Sequence, residues 1–255
     1  MIRVCETIEK DLKIIWIKNE DLGSRFTELY QQIKHAKISV ELVEFESRPF
    51  LYSDRLLNNP RQKAFNTLLK VYQRLYFKKV IHASQTAKLK ADGFDFHSLK
   101  GFDTAYISSW GRLDHKTFNK TYFIPVDEIK KEIQDFDTPT IGVHIRRTDH
   151  QVVIDKTPLD KFIGAMDDQL KKEPGVNFYL ASDSAEVKSE LTRLFGEKII
   201  THSSSNAERS SSKGMHDAMI DLYSLAGTNK IIGTGLSTFT LMASEINGIE
   251  LIEIS

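Results

Sequence analysis

The sequence predicts an α/β protein whose second half forms a parallel sheet of βαβ units. From residue 140 to the end, short apolar segments alternate with helix-patterned segments at short intervals. This alternation is typical of parallel strands joined by helical crossovers. A length of 255 residues accommodates one large domain or two small ones, and we expect two lobes.

The predicted elements of the second half follow one another closely. Strands are expected at 140–145, 177–181, 198–201, 230–233 and 249–254, with helices at 158–172, 183–195, 215–226 and 238–246. A polar stretch at 134–140 that contains Pro139 predicts an interdomain linker. The predicted lobes are therefore 1–138 and 139–255, and ligands are expected beyond the carboxyl ends of the strands.

The first half has weaker patterns. An apolar run at 12–17 predicts a buried strand, Ser24 is expected to cap a helix over 26–33, and 38–45 is strand-like. The segment 55–90 contains basic residues but no Asp or Glu. Within it, apolar and aromatic side chains recur at helical spacing: Phe65, Leu68, Leu69, Tyr72, Leu75 and Tyr76. One interpretation is a core-packed helix with a solvated Lys/Arg face. The other is a surface at 61–79 for a membrane or an anionic acceptor.

Composition narrows the classes of function. Lys plus Arg and Asp plus Glu are 35 each, which argues against the basic field of a nucleic-acid-binding protein. The single cysteine, Cys5, cannot form an intramolecular disulfide, and this fits a reducing compartment. No apolar run approaches the roughly 18 residues of a membrane helix, and the N-terminus lacks a signal pattern. We therefore expect a cytoplasmic protein.

One basic motif follows the first strand of the second half. Residues 144–149 read His-Ile-Arg-Arg-Thr-Asp. Arginine offers a fork of donors matched to phosphate oxygens, so Arg146 and Arg147, with Asp149 to orient one, suit a diphosphate. A surface Arg–Asp network is the structural alternative. Metal binding by His144, Asp149 and His150 is a third interpretation, which the repulsion between arginines and cations disfavours.

Two further segments point to ligand binding. Gly233 and Gly235 precede Ser237 and Thr238 at a predicted helix N-terminus, where phosphate binds well; ordinary N-capping is the alternative. Residues 209–221 carry Arg209, Asp217 and Asp221, and the two acids share a helix face. A carboxylate accepts two hydrogen bonds from guanine. Asp221 has apolar neighbours and is expected near the core edge, whereas Asp217 is expected to be solvated.

Taken in order, these segments resemble the fucosyltransferases that share the H-x-R-R-x-D motif, which act in α-1,6-fucosylation of N-glycan cores and of nodulation factors. The resemblance spans about 140–255 and rests on 144–149, 179–183, 220–223, 237–239 and 243–246. It implies a GT-B-like fold of two Rossmann-type lobes, with the 139–255 lobe binding the nucleotide sugar. The first lobe looks truncated, because the family's initial strand and Gly-rich loop are missing from this sequence.

The resemblance also implies roles for individual residues. Arg146 would bind the β-phosphate and stabilise departing GDP, with the clamp completed by Arg147 and Asp149. His144 and Asp221 would contact guanine. Ser237 and Thr238 would hold phosphate, and Asp183 would lie near the donor. Arg209, from the segment 209–221, is a further candidate for donor binding. The resemblance does not identify the acceptor-activating carboxylate; Asp155, eleven residues after His144, is the hypothesis for this base because of its position.

The resulting expectation is an inverting, metal-independent transfer of fucose from GDP-fucose to a glycan hydroxyl. No cofactor or metal is expected, because arginine replaces the divalent ion in this family. The partners would be a GDP-sugar and an oligosaccharide acceptor, without nucleic acid. A transferase for another nucleotide sugar and a non-catalytic GDP- or glycan-binding protein are the alternatives.

Overall fold

The computed structural model describes residues 1–20, 22–47, 49–52, 60–83, 85–86, 95–109, 120–147, 157–202, 208, 210–235 and 237–254, with the side chains of 60–63 left out. Contacts divide the chain into two compact units. The first contains 1–19 and 33–116, and the second contains 20–32 and 117–255. The predicted lobe boundary at 138/139 stays a prediction.

The first unit contains short parallel strand pairs and helices. Among its described residues, the strands are β1 (Leu12–Ile17), β2 (Val40–Phe45), β3 (Lys79–Ile81) and β4 (Ala105–Ile107), and the helices are α1 (Ile2–Ile8) and α3 (Pro60–Tyr76). Strand β1 pairs with β2, and β3 pairs with β4, both in parallel. A small apolar cluster of Ile8, Ile81 and Leu99 packs beside α1. Cys5 is buried on α1, and burial raises the pKa of its thiol.

Helix α3 differs from the preferred sequence interpretation. Its predicted apolar side was expected to pack on the core, but Leu69 alone of that side is buried. Gln73 is the other buried residue of the described part of α3, and its amide donates to the carbonyl of Leu51 at 2.8 Å. The apolar residues of α3 that are exposed are Phe65, Leu68, Val71, Tyr72, Leu75 and Tyr76. The core-packed interpretation of this helix is therefore wrong.

The second unit is built on one five-stranded sheet. Its strands are β5 (Thr140–Ile145), β6 (Asn177–Ser182), β7 (Ile199–Ile200), β8 (Lys230–Thr234) and β9 (Glu250–Ile254). The helices of this unit are α2 (Phe26–Leu29), α4 (Asp127–Lys130), α5 (Leu159–Lys172), α6 (Ala185–Phe195), α7 (Ser212–Ala226) and α8 (Thr238–Asn247). The order is β7-β6-β5-β8-β9, and all pairings are parallel. The prediction of a parallel βαβ sheet is confirmed.

A short N-terminal segment, 20–32, belongs to this second unit. Helix α2 ends at Leu29 rather than Ile33, and its N-cap is Arg25 rather than the predicted Ser24. Ser24 is buried instead, and its hydroxyl lies 3.2 Å from that of Ser212. A Cβ at Gly23 would lie 2.3 Å from the Ser210 carbonyl carbon. The chain can approach α7 this closely because residue 23 lacks a side chain.

A large apolar cluster of the second unit lies on one face of the sheet. Alternate residues of β5 and β6 point to it, as period-two alternation requires. They pack with α5 and α6 in a cluster that includes Ile141, Val143, Ile145, Phe162, Met166, Phe178, Leu180 and Leu191. The opposite face of β5 and β6 carries Gly142, His144, Tyr179 and Ala181.

Candidate functional site at the carboxyl edge of the five-stranded sheet

The site begins where strand order reverses. Strand β5 lies between β6 and β8, so the chain leaves β5 toward one side of the sheet and returns on the other at β8. In open parallel sheets this reversal opens a crevice beyond the carboxyl ends of the strands. Arg146 and Arg147 follow β5, Asp183 follows β6, and Ser237 lies three residues beyond β8. The predicted site residues from three separate segments thus meet at one sheet edge.

His144 is the last residue but one of β5 and is 8% exposed. Its Nδ1 lies 2.6 Å from the Thr240 hydroxyl oxygen on α8. Its ring also packs on Phe239, with centroids 4.8 Å apart and planes at 30°. A histidine with a ring contact on one flank and a hydrogen bond at Nδ1 has little freedom to rotate. Helix α8 therefore fixes the imidazole at the sheet edge.

The Thr240 hydroxyl is the partner of Nδ1 of His144. Thr240 is 1% exposed, and its hydroxyl oxygen lies 2.6 Å from Nδ1. The hydroxyl can donate to Nδ1 or accept from it, and the tautomer of the imidazole sets the direction. In either case Thr240 occupies Nδ1 and satisfies a buried polar group.

The two arginines of the motif have different surroundings. The backbone N–H of Arg146 donates to the Thr234 hydroxyl at 3.4 Å, and that hydroxyl donates to the His144 carbonyl at 3.3 Å. Thr234 therefore joins the ends of β5 and β8. The backbone N–H of Arg147 donates instead to the Asp183 carboxylate at 2.7 Å. Each arginine is thus tied to a different neighbouring strand.

The side chain of Arg147 packs toward the apolar core. Its guanidinium carbon lies 5.9 Å from the centroid of the Phe162 ring. Burial lowers the pKa of the Arg147 guanidinium, and the charge of Asp183 acts in the opposite direction. Its buried Nη2 has no hydrogen-bond partner among the described residues. A buried cationic donor of this kind favours an acceptor from a ligand.

Asp183 positions the chain as well as contributing charge. Its carboxylate accepts from the N–H of Arg147, so it holds the chain just beyond β5. Backbone N–H groups at a strand end need such partners, because the sheet no longer supplies them. The observed contact of Asp183 is with the arginine motif, and its role in donor binding stays a prediction.

The strand β8 to α8 connection forms the next side of the site. Ser237 is the N-cap of α8, and its hydroxyl accepts from the N–H of Thr240. Thr238 begins the helix and is exposed. A Cβ at Gly233 would lie 2.1 Å from Cγ2 of Thr240, so glycine lets α8 sit close to the sheet. The predicted helix N-terminus is confirmed. The Ser237 hydroxyl acts as an ordinary N-cap, which was the alternative interpretation of this segment.

Asp221 lies on α7 and faces the sheet. The Tyr179 hydroxyl donates to its carboxylate at 2.6 Å. Burial raises the pKa of Asp221, while the Tyr179 hydrogen bond and the nearby Lys188 and His202 act to lower it. Burial and the Asp221 charge raise the pKa of the Tyr179 hydroxyl. The prediction that Asp221 sits near the core edge with a partner is confirmed.

Asp217 is one turn before Asp221 on the same helix face. The prediction of a solvated Asp217 is wrong, because the residue is buried and its carboxylate lies 3.3 Å from Nε2 of His202. Lys188 reaches the same place, with its ammonium donating to the His202 carbonyl at 3.3 Å. A lysine and a histidine thus lie near the two acids.

Three predicted site residues lie outside the described residues: Asp149, Asp155 and Arg209. Their roles stay predictions. Within the described part of the chain, no group of three or more His, Cys, Asp and Glu side chains is placed to hold a metal ion.

Sequence reasoning missed the residues that hold the predicted ones in place. Thr240, Thr234 and Phe162 were given no role. For Thr240 a signal exists, since it lies in the small-residue segment that was singled out, and a buried histidine needs a hydrogen-bond partner. For Phe162 no local signal exists, because its contact with Arg147 joins residues of different elements.

Comparison with known proteins gives structural relatives. No protein-family model and no curated protein sequence matches the chain. Among solved structures, NodZ α-1,6-fucosyltransferase soaked with GDP-fucose superposes with a TM-score of 0.63 at 19% identity, covering 99% of this chain and 87% of that one. Fucosyltransferase NodZ from Bradyrhizobium gives a TM-score of 0.62 at 19% identity, covering 100% and 88%. NodZ co-crystallised with GDP gives 0.59 at 18% identity, covering 95% and 84%.

The likeness extends over nearly the whole chain, whereas the sequence identity is low. It confirms the predicted fold class, which is α/β and GT-B-like with parallel sheets. The protein therefore has the fold of the NodZ fucosyltransferases.

Proposed function

We propose that the protein is a glycosyltransferase that transfers fucose from GDP-fucose to a glycan hydroxyl. The observation that carries the proposal is the meeting of His144, the Arg146–Arg147 pair and the N-terminus of α8 at the strand reversal of a NodZ-like fold. Such an edge supplies cationic and N–H donors for a diphosphate. Two of the NodZ structures that share the fold were obtained with GDP-fucose and with GDP, respectively.

In this proposal guanine binds at the face of the sheet that carries His144 and Tyr179, which we call the polar face. His144 contacts guanine through Nε2, because Thr240 occupies Nδ1. Asp221 has one carboxylate oxygen bonded to Tyr179, and its second oxygen accepts from the base. The Asp183 carboxylate continues to accept from the backbone N–H of Arg147 and so positions the arginine motif. Arg209 belongs to the same donor site.

The transfer step depends on the end of β5. Arg146 binds the β-phosphate and stabilises the charge that develops on GDP as the sugar leaves. Arg147 and Asp149 complete the clamp, and Ser237 and Thr238 hold phosphate at the start of α8. Asp155 takes the proton of the acceptor hydroxyl. The hydroxyl oxygen attacks the anomeric carbon of fucose from the face opposite the leaving GDP, so the anomeric configuration is inverted. Arginine supplies the positive charge, so the reaction proceeds without a divalent ion.

The first test is binding of GDP. A ligand that binds only the folded state raises the melting temperature by mass action. We expect millimolar GDP to raise it, with UDP giving a smaller shift, and calorimetry to give the same ranking. An unchanged melting temperature with GDP would rule out the proposed donor site. A larger shift with UDP would favour a different nucleotide sugar.

The second test is turnover. GDP release from GDP-fucose should increase when a glycan acceptor is added, and EDTA should leave the rate unchanged. NMR of the product should show an anomeric configuration opposite to that of the donor. Binding of GDP without any release across a panel of oligosaccharides would instead identify a non-catalytic GDP-binding protein. Asp155→Asn should then be compared with wild type, and undiminished transfer would exclude Asp155 as the base.

A further inference from the structure

The exposed side of α3 is apolar over most of the helix length. Leu75 is 75% exposed, Leu68 is 66% exposed and Val71 is 55% exposed, whereas Leu69 is 4% exposed. A soluble protein exposes single apolar residues routinely, but a contiguous group on one helix side marks a contact surface. We call Leu68, Val71, Tyr72 and Leu75 the apolar face of α3.

Helical geometry separates α3 into three sectors. At about 100° per residue, the apolar face forms one continuous strip along the helix. Leu69 and Gln73 lie to one side of the strip and hold the helix on the unit, with Gln73 bonded to the Leu51 carbonyl. Lys70 and Arg74 lie on the remaining side and are exposed. The helix is therefore attached by one sector, and the other two sectors face solvent.

The charge on this segment has one sign. Between residues 55 and 90 the sequence contains no Asp or Glu. The exposed cations of the described part, Lys70, Arg74 and Lys78, therefore have no acidic neighbour in the segment. A helix that only needed solubility would carry both signs at the i,i+4 spacing that stabilises isolated helices. An unbroken positive flank beside an apolar strip complements a negatively charged surface that also has an apolar interior.

Aromatic residues extend the strip at its border. The Tyr72 and Tyr76 hydroxyls are 3.2 Å apart, and both side chains are exposed. Phe50, which is 38% exposed, packs edge-on against Phe65 with ring centroids 4.9 Å apart. An apolar and aromatic face combined with a cationic face is typical of helices that lie in the headgroup region of a bilayer.

We propose that α3 docks this protein on an anionic lipid bilayer, lying in the interface with its apolar face toward the acyl chains. Lys70, Arg74 and Lys78 contact the lipid headgroups. The 17-residue helix would extend about 25 Å along the membrane plane. No helix of the described residues is long and apolar enough to cross a bilayer, so the mode of attachment is interfacial. A second copy of the chain fits less well, because pairing the same faces would bring the cationic flanks together.

The experiment is co-sedimentation of the full chain with sucrose-loaded vesicles. Vesicles of phosphatidylcholine alone are compared with vesicles containing about 30% phosphatidylglycerol, at low and at high salt. Wild type should bind the anionic vesicles, bind the neutral vesicles weakly and lose affinity as salt rises. The double variant Lys70→Ala/Arg74→Ala should bind about thirtyfold more weakly. The double variant Val71→Ser/Leu75→Ser should lose at least about tenfold.

Matched controls use residues with the same exposure elsewhere. Lys131→Ala/Lys172→Ala removes two exposed cations of the second unit, and Leu194→Ser removes an exposed leucine of α6. Both should bind vesicles like wild type. Equal loss in the controls, or binding that both α3 variants leave intact, would overturn the proposal. So would sedimentation velocity showing a lipid-free dimer that Val71→Ser/Leu75→Ser converts to monomer. Because GDP binding is not involved, this test stands or fails separately from the proposed transferase activity.

Discussion

The two faces of the five-stranded sheet are built from the same strands but differ in chemistry. On one face Val143, Leu180 and their neighbours pack with Phe162 and Met166 into an apolar cluster. On the other face His144 bonds to Thr240, and Tyr179 bonds to Asp221. Because successive residues of a strand point to opposite faces, β5 and β6 supply both environments.

The difference separates what stabilises the fold from what recognises a ligand. The apolar cluster excludes water, and its burial is the main favourable term in folding. The polar face contains polar groups whose burial would destabilise the folded state, so each of these groups needs a hydrogen-bond or charge partner. Asp221 and Asp217 have partners, but Asp221 also retains a pKa raised by burial. Substitutions on the two faces should therefore affect different measurements.

The largest expected loss of stability comes from the apolar face. Phe162 is completely buried between α5 and the sheet and also contacts the Arg147 guanidinium. Phe162→Ala should lower the free energy of unfolding by about 3–5 kcal/mol, through lost transfer energy and an unfilled cavity. Urea denaturation measures it. Leu194→Ala on the exposed side of α6 should change stability by less than about 0.5 kcal/mol. Equal losses in the two variants would contradict the comparison.

At the carboxyl edge, where the faces meet, the effect should move from stability to turnover. Arg146→Ala should lower kcat by about 100- to 1,000-fold, because a donor to the departing diphosphate is lost in the transition state. Its melting temperature without ligand should stay within a few degrees of wild type. Initial rates of GDP release give kcat, and Arg193→Ala, an exposed arginine on α6, is the matched control. Turnover within threefold of wild type would exclude the assigned role of Arg146.

On the polar face, Asp221→Asn should mainly weaken ligand binding. The amide keeps the shape but loses the charged acceptor, so the Kd for GDP should rise about ten- to a hundredfold. Calorimetry at pH 7 measures this. Glu190→Gln, on α6, changes an acid to an amide without touching the site and should leave the Kd unchanged.

The same variant tests the raised pKa of Asp221. Burial raises this pKa in the folded state, so the native protein retains a proton that the unfolded chain releases from about pH 3.9 upward. The native state then binds more protons than the unfolded state, and stability falls as the pH rises from that value through the folded pKa. Asp221→Asn lacks this dependence. The free energy of unfolding of wild type relative to the variant should therefore decline between the unfolded and the folded pKa and level off above the folded pKa. A wild-type stability that rises relative to the variant over this pH range would contradict the raised pKa.

The smallest expected effect tests the packing of α8 on the sheet. Gly233→Ala places a methyl group 2.1 Å from Cγ2 of Thr240 and should cost about 1–3 kcal/mol. Thr240→Ser removes Cγ2 but keeps the hydroxyl that bonds His144. The double variant should be more stable than the sum of the single effects by at least about 0.5 kcal/mol.

A glycine without such a neighbour provides the control. Gly164 lies within α5, and a Cβ there would meet nothing within 4 Å. Gly164→Ala should stabilise the protein by about 0.5–1 kcal/mol, since glycine is unfavourable inside a helix. Additive effects of Gly233→Ala and Thr240→Ser would show that the contact with Cγ2 of Thr240 is not what excludes a side chain at position 233.

Much of the second unit could be predicted from local patterns. The helix expected at 158–172 is observed at Leu159–Lys172, and the last strand is observed at Glu250–Ile254. These elements are long or strongly periodic, so the period alone identifies them. The motif that contains His144 and Arg146 was singled out because it lies where a strand ends, and parallel strands end at a common edge. Asp183 was predicted from the family resemblance.

The missed features depend on contacts between distant elements. Helix α3 is correctly periodic, but its apolar side faces solvent, and period alone does not tell which sector attaches. Asp217 looked solvated because its sequence neighbours are mixed, yet it is buried against His202. Ser24 has the composition of a helix cap, but a hydrogen bond to Ser212, 188 positions away, outcompetes that role.

The sequence by itself determined the α/β class, the order of strands and helices, and the basic motif at the end of β5. Periodicity and short-range chemistry suffice for these features, because each depends on residues within a few positions of one another. Only the tertiary structure decided that Thr240 bonds to Nδ1 of His144, that Arg147 packs on Phe162, and that α3 presents its apolar face to solvent. Such features depend on which elements pack together, and that choice follows from burial summed over the whole chain.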